Sequence, residues 1–193
     1  MKVLKEKIIK EGTAIGTEIL KVDSFLNHQM DIELMEEMGR EFKRRFDHCK
    51  VDKILTVEAS GIAIASVTAR CFGYPCVVFA KKATPNTMTD DYYTSEAKSF
   101  TKGKVSDFIV SKKYLAQGEK VLIIDDFLAS GEASLALTRI VEEAGANVVG
   151  IGIAVEKGFQ GGGEKLRAEG YRLESLAVIE ALRDGEIIFK EEQ

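Results

Sequence analysis

The sequence has few of the residues that build metal centres and disulfide frameworks. It contains 2 histidines and 3 cysteines among 193 residues. The cysteines, Cys49, Cys71 and Cys76, are odd in number and lack the close spacing of metal ligands. We therefore expect three reduced thiols that pack as small apolar side chains, and no zinc site.

Long apolar runs and a strong charge of one sign are also lacking. The longest apolar stretches fall well short of the roughly 20 residues that a membrane helix needs. The N-terminal segment MKVLKEKIIKEG is charged throughout, unlike a signal peptide. The formal net charge is -4, from 27 basic and 31 acidic residues, so no general basic field attracts nucleic acid or an anionic membrane. We expect a cytoplasmic protein that binds neither.

Strand-like and helix-like patterns alternate along the chain. Apolar spacing predicts an opening helix that ends near Gly12 and a second helix over 34–46. Further strands are predicted at 53–57, 76–79, 121–124 and 148–155, and further helices at 62–71 and 135–141. Short apolar runs of this kind are typical of buried parallel strands. The pattern favours one α/β domain over 1–193, with a mainly parallel sheet and ligands at the carboxyl ends of its strands.

One polar stretch interrupts this alternation. The residues from Lys81 to Lys102 are rich in Thr and Ser and show little periodicity. A connection of this length is unusual inside a compact domain. We expect a mobile or functional loop.

The segment from Val121 to Ala133 carries the clearest chemical pattern. Four apolar residues precede Asp125 and Asp126, whose carboxylates would accept hydrogen bonds from a sugar diol at the end of the strand. The small residues that follow leave backbone N–H groups free to surround a phosphate at a helix N-terminus. Gly131 permits close backbone approach, and the Ser130 hydroxyl is a further donor. The alternative is two acids at the end of a strand and a serine that caps a helix.

This segment resembles the motif with which type I phosphoribosyltransferases bind phosphoribosyl pyrophosphate (PRPP). The resemblance covers nearly the whole chain. It implies the family's fold, in which helices flank a mainly parallel sheet and a small hood is formed largely by the N-terminal segment, here mainly 1–35 with the C-terminal part. It assigns the ribose 2- and 3-hydroxyls to Asp125 and Asp126, and it leaves Asp125 as a candidate general base.

The same resemblance assigns the 5-phosphate to the turn after the acids. The residues that would hold it are Ala129, Ser130, Gly131, Glu132 and Ala133. Many members have Thr-Gly-Gly-Thr where this chain has Ser-Gly-Glu-Ala, so a hydroxyl is lost and a carboxylate stands near the phosphate. We expect Glu132 to point away into solvent.

Two further matches concern the pyrophosphate. The turn with Ser60 and Gly61 resembles the family's loop that contacts pyrophosphate through backbone amides. Lys81 and Lys82 stand where relatives often have Arg-Lys, although a solvated basic pair is the alternative. The resemblance implies Mg²⁺ that is bound with PRPP; we expect no direct ligation by the protein, with Asp125 and Asp126 as the alternative ligands.

The base pocket is implied by the segments 20–29 and 150–159, which are most similar to bacterial members that act on xanthine. On this resemblance, Leu20 and Asn27 lie at the 2-oxo side of the base, Lys157 donates to the 6-oxo group and Phe159 stacks on the ring. From the residues alone, Asn27 would be an ordinary helix cap and Lys157 a surface residue. The expected ligands are xanthine and PRPP, and the expected assembly is a homodimer.

Three other functions are alternatives. Hypoxanthine or guanine could replace xanthine, because both also present a 6-oxo group. A PRPP-sensing transcriptional regulator would need a basic DNA-binding segment, and none is visible. A Rossmann-type nucleotide binder would need Gly-x-Gly-x-x-Gly after its first strand, whereas Gly161 to Gly163 follow a late strand with the wrong spacing.

Overall fold

A six-stranded sheet organises the computed structural model, which describes residues 1–82, 91–98, 105–183 and 185–191. In chain order the strands are β1 (Thr13–Ile15), β2 (Ile19–Lys21), β3 (Lys53–Val57), β4 (Cys76–Ala80), β5 (Tyr92–Lys98), β6 (Val105–Ser111), β7 (Lys120–Leu128), β8 (Asn147–Lys157), β9 (Leu173–Arg183) and β10 (Glu186–Phe189). The order in the large sheet is β10-β9-β8-β7-β3-β4. Its neighbours run parallel except β9 and β10, which form an antiparallel pair.

Helices cover the sheet. They are α1 (Lys2–Glu11), α2 (Ile32–Arg45), α3 (Ser60–Cys71), α4 (Glu132–Glu143) and α5 (Gly162–Ala168). Asp31 caps α2, because its Oδ1 accepts a hydrogen bond from the Leu34 amide at 3.1 Å. Basic residues 43–45 occupy the last turn of α2, where the helix dipole favours positive charge.

The N-terminal segment forms the small hood that the resemblance implies. We define the hood as α1, the antiparallel hairpin of β1 and β2, and a π-helical turn over Asp23–Asn27. Leu4 and Ile8 of α1 are fully buried, and so are Val22, which follows β2, and Phe25 of the π-helical turn. The hood is therefore anchored by its own apolar side chains.

The core lies on both faces of the sheet. One cluster joins α2 and α3 to the hood, and the other joins α4 to β5 and β6. On the first face, Phe42 and Phe46 lie over glycines of β8. A Cβ built on Gly152 would stand 2.8 Å from the ring of Phe42, and one on Gly150 would meet the ring of Phe46. The glycines thus leave room for two aromatic rings.

The strand order brings four chain segments to one edge. Because β3, β4, β7 and β8 are parallel, their carboxyl ends at Val57, Ala80, Leu128 and Lys157 lie at the same edge of the sheet. Candidate site residues follow each strand: Ser60 and Gly61 after β3, Lys81 and Lys82 after β4, 129–133 after β7 and Phe159 after β8. The fold therefore gathers those residues at the position where open α/β sheets bind ligands.

The structure corrects two sequence-based expectations. The predicted loop from Lys81 to Lys102 contains β5, which pairs with β6 in an antiparallel hairpin. The parts of that stretch at 83–90 and 99–102 lie outside the described residues. The strand predicted at 121–124 runs on to Leu128, so the acid pair lies within β7 and not beyond it. No helix in the described part of the chain has the length and apolar character needed to cross a membrane.

Candidate active site

The acid pair lies in the second half of β7. Asp125 is 6% exposed and pairs in register with Ile153 of β8, whereas Asp126 is partly exposed. Burial, followed by the neighbouring Asp126 carboxylate, raises the pKa of Asp125 well above its usual range. Asp125 is thus a buried acid whose surroundings disfavour the charged carboxylate.

The predicted pyrophosphate turn packs directly against this acid. Ser60 and Gly61 open α3, and a Cβ built on Gly61 would lie 2.5 Å from Asp125 Oδ1 and would also collide with Thr56 Oγ1. Only glycine fits between these two oxygens without displacement. The preceding peptide bond, between Glu58 and Ala59, is cis.

The two lysines differ in their roles. The Lys81 backbone forms a two-way bridge with Ile109 of β6, with both N–H to O distances at 3.0 Å. The Lys82 amide donates to Glu58 Oε1 at 2.9 Å, and its positive charge acts to lower the pKa of Asp125. Lys82 is exposed. Both the pyrophosphate contact and the alternative of a solvated basic pair stay predictions for Lys81 and Lys82.

The turn after the acid pair leads into α4. We call residues Ala129–Ala133 the phosphate turn. Gly131 is the N-cap of α4 with a φ of 86°, a left-handed conformation that favours glycine, and no side chain caps the helix. Ser130 is therefore not the N-cap of α4, and within the described residues no side-chain cap bond closes the start of the helix. The first amides of such a helix can bind an anion.

Glu132 does not point freely into solvent as expected. Its Oε1 accepts a hydrogen bond from Lys165 Nζ of α5 at 2.9 Å, and its side chain is 30% exposed. The carboxylate is directed to α5 because that helix packs beside the phosphate turn. The charge of Lys165 partly neutralises an acid that would otherwise oppose a phosphate.

The end of β8 meets the hood. Lys157 Nζ donates to the carbonyl oxygen of Glu18 at 2.9 Å and lies 5.7 Å from the ring centroid of Phe127. Burial lowers the pKa of Lys157, and the Glu18 carboxylate acts in the opposite direction. Lys157 is thus a half-buried donor and not a free surface residue.

The remaining residues of the predicted base pocket surround this lysine unevenly. Leu20 is buried in β2, two residues from Glu18. Phe159 is 37% exposed in the short 3₁₀ turn after β8. Asn27 is exposed at the end of the π-helical turn, and Asp31 caps α2 in its place, so Asn27 is not an ordinary helix cap. A role of Asn27 in base binding stays a prediction.

Comparison with known proteins decides the family. The model of the phosphoribosyl transferase domain matches residues 23–171, which include the acid pair, the phosphate turn and Lys157. The chain belongs to the phosphoribosyltransferase family. The resemblance stated from the sequence is thereby confirmed.

Relatives among the phosphoribosyltransferases match this chain over nearly its full length. The chain is 54% identical over 190 residues to a xanthine phosphoribosyltransferase of Clostridioides difficile (strain 630), covering 98% of this chain and 100% of the relative. It is also 54% identical over 191 residues to a xanthine phosphoribosyltransferase of Ruminiclostridium cellulolyticum, covering 99% and 100%. Each relative is matched from end to end.

A solved phosphoribosyltransferase structure has the same fold. The adenine phosphoribosyltransferase of Rhodothermus marinus DSM 4252 superposes with a TM-score of 0.74, over 93% of this chain and 100% of that one. The two sequences are 19% identical, so this likeness concerns the fold alone. The expected α/β fold with a mainly parallel sheet is confirmed.

Several residues of this phosphoribosyltransferase site were missed from the sequence. Thr56 is fully buried beside Asp125, and its Oγ1 has no hydrogen-bond partner among the described residues. Glu58 holds the Lys82 amide, and Phe127 lies under Lys157. Thr56 and Phe127 resemble ordinary strand formers in the sequence, so no signal marked them. Glu58 stands at the start of the recognised turn, and an acid at that place was a usable signal.

The donor set of the site is compatible with a metal that arrives with its substrate. Within the described residues, no group of three or more His, Cys, Asp or Glu side chains could hold a metal ion by itself. Asp125 and Asp126 nevertheless offer carboxylate oxygens, which are ligands that Mg²⁺ prefers alongside water and phosphate oxygens. The acid pair therefore fits Mg²⁺ only in combination with further oxygen ligands.

Proposed function

We propose that this protein is a xanthine phosphoribosyltransferase, which transfers ribose 5-phosphate from PRPP to N9 of xanthine and releases pyrophosphate. The observation that carries the proposal is the 54% identity with xanthine phosphoribosyltransferases over almost the entire chain, hood included. Identity that extends through the hood matters because the resemblance assigns Leu20 and Asn27 there. On that resemblance alone, we also propose a cytoplasmic homodimer.

The sugar phosphate would be held at the carboxyl ends of β7 and β3. Asp125 and Asp126 would accept hydrogen bonds from the two ribose hydroxyls, and the N–H groups of the phosphate turn would surround the 5-phosphate. Ser60 and Gly61 with Lys81 and Lys82 would contact the pyrophosphate through amides and positive charge. Each assignment is consistent with the positions of these residues at one edge of the sheet.

The reaction would be a displacement at the anomeric carbon of the ribose. The bond to pyrophosphate breaks as N9 of the base attacks, and positive charge develops on the ring. The lysines and the backbone amides would stabilise the negative charge of the leaving group. Asp125 and Asp126 are the residues that would hold Mg²⁺ brought with PRPP, and the ion would supply positive charge to the leaving group. The protein residues mainly orient and neutralise.

Base selection would depend on polar groups at opposite sides of the purine. Lys157, already a donor at 2.9 Å to a carbonyl oxygen, would donate to the 6-oxo group, and Phe159 would stack on the ring. Leu20 and Asn27 would lie at the 2-oxo side. Hypoxanthine lacks that 2-oxo group, so a donor built for it would remain unpaired when hypoxanthine binds.

The test is nucleotide formation from PRPP and Mg²⁺ with xanthine, hypoxanthine, guanine and adenine offered separately. We expect xanthine to be used preferentially. We further expect Asn27→Ala to lower kcat/KM for xanthine about tenfold, the value of one lost hydrogen bond, and to leave any hypoxanthine activity unchanged.

Other outcomes would correct specific parts of the proposal. Preference for guanine or hypoxanthine would keep the enzyme class and reject the substrate. Equal losses on both bases in Asn27→Ala would reject Asn27 as the selector. PRPP binding without turnover of any base would favour a sensor.

A further inference from the structure

A buried carboxylate, paired with an arginine that is 45% exposed, lies outside the proposed substrate contacts. Glu156 is 3% exposed near the end of β8. Its carboxylate accepts two hydrogen bonds from the Arg167 guanidinium of α5, at 3.2 and 3.1 Å, and one from Ser175 Oγ of β9 at 2.5 Å. We call these three side chains the Glu156 cluster. A buried carboxylate of this kind persists only where its charge is paired.

The Glu156 cluster fixes α5 against the sheet. Gly163, in the first turn of α5, lies so close to the carboxylate that a Cβ on it would collide with Glu156 Oε1. Arg167 lies one turn later on the same helix and forks onto both oxygens of the carboxylate. The Glu156 side chain therefore contacts α5 at two places, Gly163 and Arg167, and fixes the position of the helix.

The same helix supports the phosphate turn. The Gly162 amide donates to the Ala129 carbonyl oxygen at 3.2 Å. A Cβ on Gly162 would collide with that oxygen and would lie 2.5 Å from the Gly131 amide nitrogen. The pair of Lys165 and Glu132 is a third contact between α5 and the turn.

We propose that Glu156 is a positioning residue for the phosphate turn and acts through α5. The inference rests on the proposed function, since it assumes that residues 129–133 bind the 5-phosphate. Glu156 itself contacts no substrate in this proposal. It holds α5, and α5 holds the backbone of Ala129 and Gly131 in the shape that exposes the amides.

The test compares Glu156→Gln with Glu41→Gln. Glu41 is the control, because it also accepts hydrogen bonds from two arginines, Arg44 and Arg45, but lies on α2. Arg45 also donates to the Ser175 carbonyl oxygen at 3.0 Å, so the control includes a backbone contact to β9 that does not involve the Glu156 carboxylate. The probes are ribose 5-phosphate, which carries only the phosphate assigned to the turn, and pyrophosphate, which is assigned to the Ser60–Gly61 loop. Affinity for each is measured by calorimetry together with KM for PRPP.

We expect Glu156→Gln to weaken ribose 5-phosphate binding and raise KM for PRPP about tenfold, and to leave pyrophosphate affinity at the wild-type value. Glu41→Gln should change neither affinity. Arg167→Lys keeps the charge but loses the two-pronged contact, so it should give an intermediate loss even if Glu156→Gln folds poorly.

The outcomes separate this inference from the proposed function. Wild-type affinity for ribose 5-phosphate in both Glu156→Gln and Arg167→Lys would overturn the positioning role. Equal losses of ribose 5-phosphate and pyrophosphate affinity would also overturn it, because they would indicate a general loss of structure. Failure of the wild-type protein to bind ribose 5-phosphate would instead reject the phosphate turn as proposed.

Discussion

Asp125 combines a buried position with the proposed binding of a ribose hydroxyl. Burial and the Asp126 carboxylate favour its protonated form, whereas a bound sugar needs an acceptor. Between about pH 3.9, where an unfolded aspartate titrates, and the higher pKa of Asp125 in the folded chain, the folded chain holds a proton that the unfolded chain has lost. Stability of the unliganded protein therefore falls as the pH rises through that window.

The loss of stability with rising pH predicts the effect of Asp125→Asn. The amide does not ionise, so the variant should have a higher Tm than the wild type at pH 7, by about 2–4 °C for each kcal/mol gained, and no such advantage below about pH 4. PRPP affinity should fall sharply in the same variant. Thermal unfolding across pH checks the first part, and an advantage that is equal at pH 4 and pH 7 would contradict it.

Single site residues could be predicted from the sequence where chemically distinctive side chains occur at the spacing of a known motif. Asp125, Asp126 and Gly131 could be singled out because two acids and a small-residue turn follow an apolar run. Thr56 could not, because a threonine in an apolar strand is indistinguishable from any strand former. Its proximity to Asp125 depends on the pairing of β3 with β7, which is a long-range contact.

At the scale of elements, the hairpin of β5 and β6 depends on α4. Arg139 of α4 donates to Ser95 Oγ at 3.0 Å and to the Glu96 carbonyl oxygen at 2.8 Å. On its other side, β6 bridges Lys81 through Ile109. Arg139 therefore connects the hairpin that positions Lys81 to the helix that starts at the phosphate turn.

Arg139→Leu should loosen this hairpin selectively. Loss of two hydrogen bonds, each worth about 0.5–1.5 kcal/mol, predicts amide exchange in β5 and β6 that is faster by about tenfold or more, with unchanged exchange in β7 and β8. Hydrogen exchange measured by mass spectrometry or NMR checks this. Arg44→Leu, an exposed arginine that pairs within α2, is the control. Uniformly faster exchange in Arg139→Leu would contradict a local role.

The elements that the sequence predicted are those whose pattern is local. Strands β3, β4, β7 and β8 are apolar runs, and the helices α1 to α4 have apolar residues at helical spacing. The strands β1 and β2 have three residues each, too few for a pattern. β5 is polar and resembles a loop, because its strand geometry comes from pairing with β6 and not from its own composition.

At the scale of the whole molecule, the contact between α2 and β8 joins the helical layer to the sheet. Phe42 and Phe46 are fully buried and fill the space above Gly152 and Gly150. The sequence showed an apolar run interrupted by glycines but not the reason for them. The reason is the partner helix, more than 100 residues away along the chain.

Gly152→Ala should therefore overpack this contact. We expect a loss of about 1–3 kcal/mol in the free energy of unfolding, or about 2–4 °C in Tm for each kcal/mol, because the added methyl would meet the Phe42 ring and Ile124. Phe42→Leu in the same chain should recover part of that loss. Denaturant unfolding of the two single variants and the double variant measures the coupling. If the loss of unfolding free energy in the double variant equals the sum of the losses in the two single variants, the Phe42 ring and the added methyl do not compete for the same space.

The bond between Lys157 and the Glu18 carbonyl has a consequence for how tightly a purine can be held. On the proposed assignment, the 6-oxo oxygen takes a proton donor that already has an acceptor 2.9 Å away. Binding then exchanges one acceptor for another, and such an exchange changes the free energy little. On this assignment the lysine would favour bases with a 6-oxo group while adding little attraction, so the affinity for a base would come mainly from ring stacking, the contacts at the 2-oxo side and the water released from the pocket.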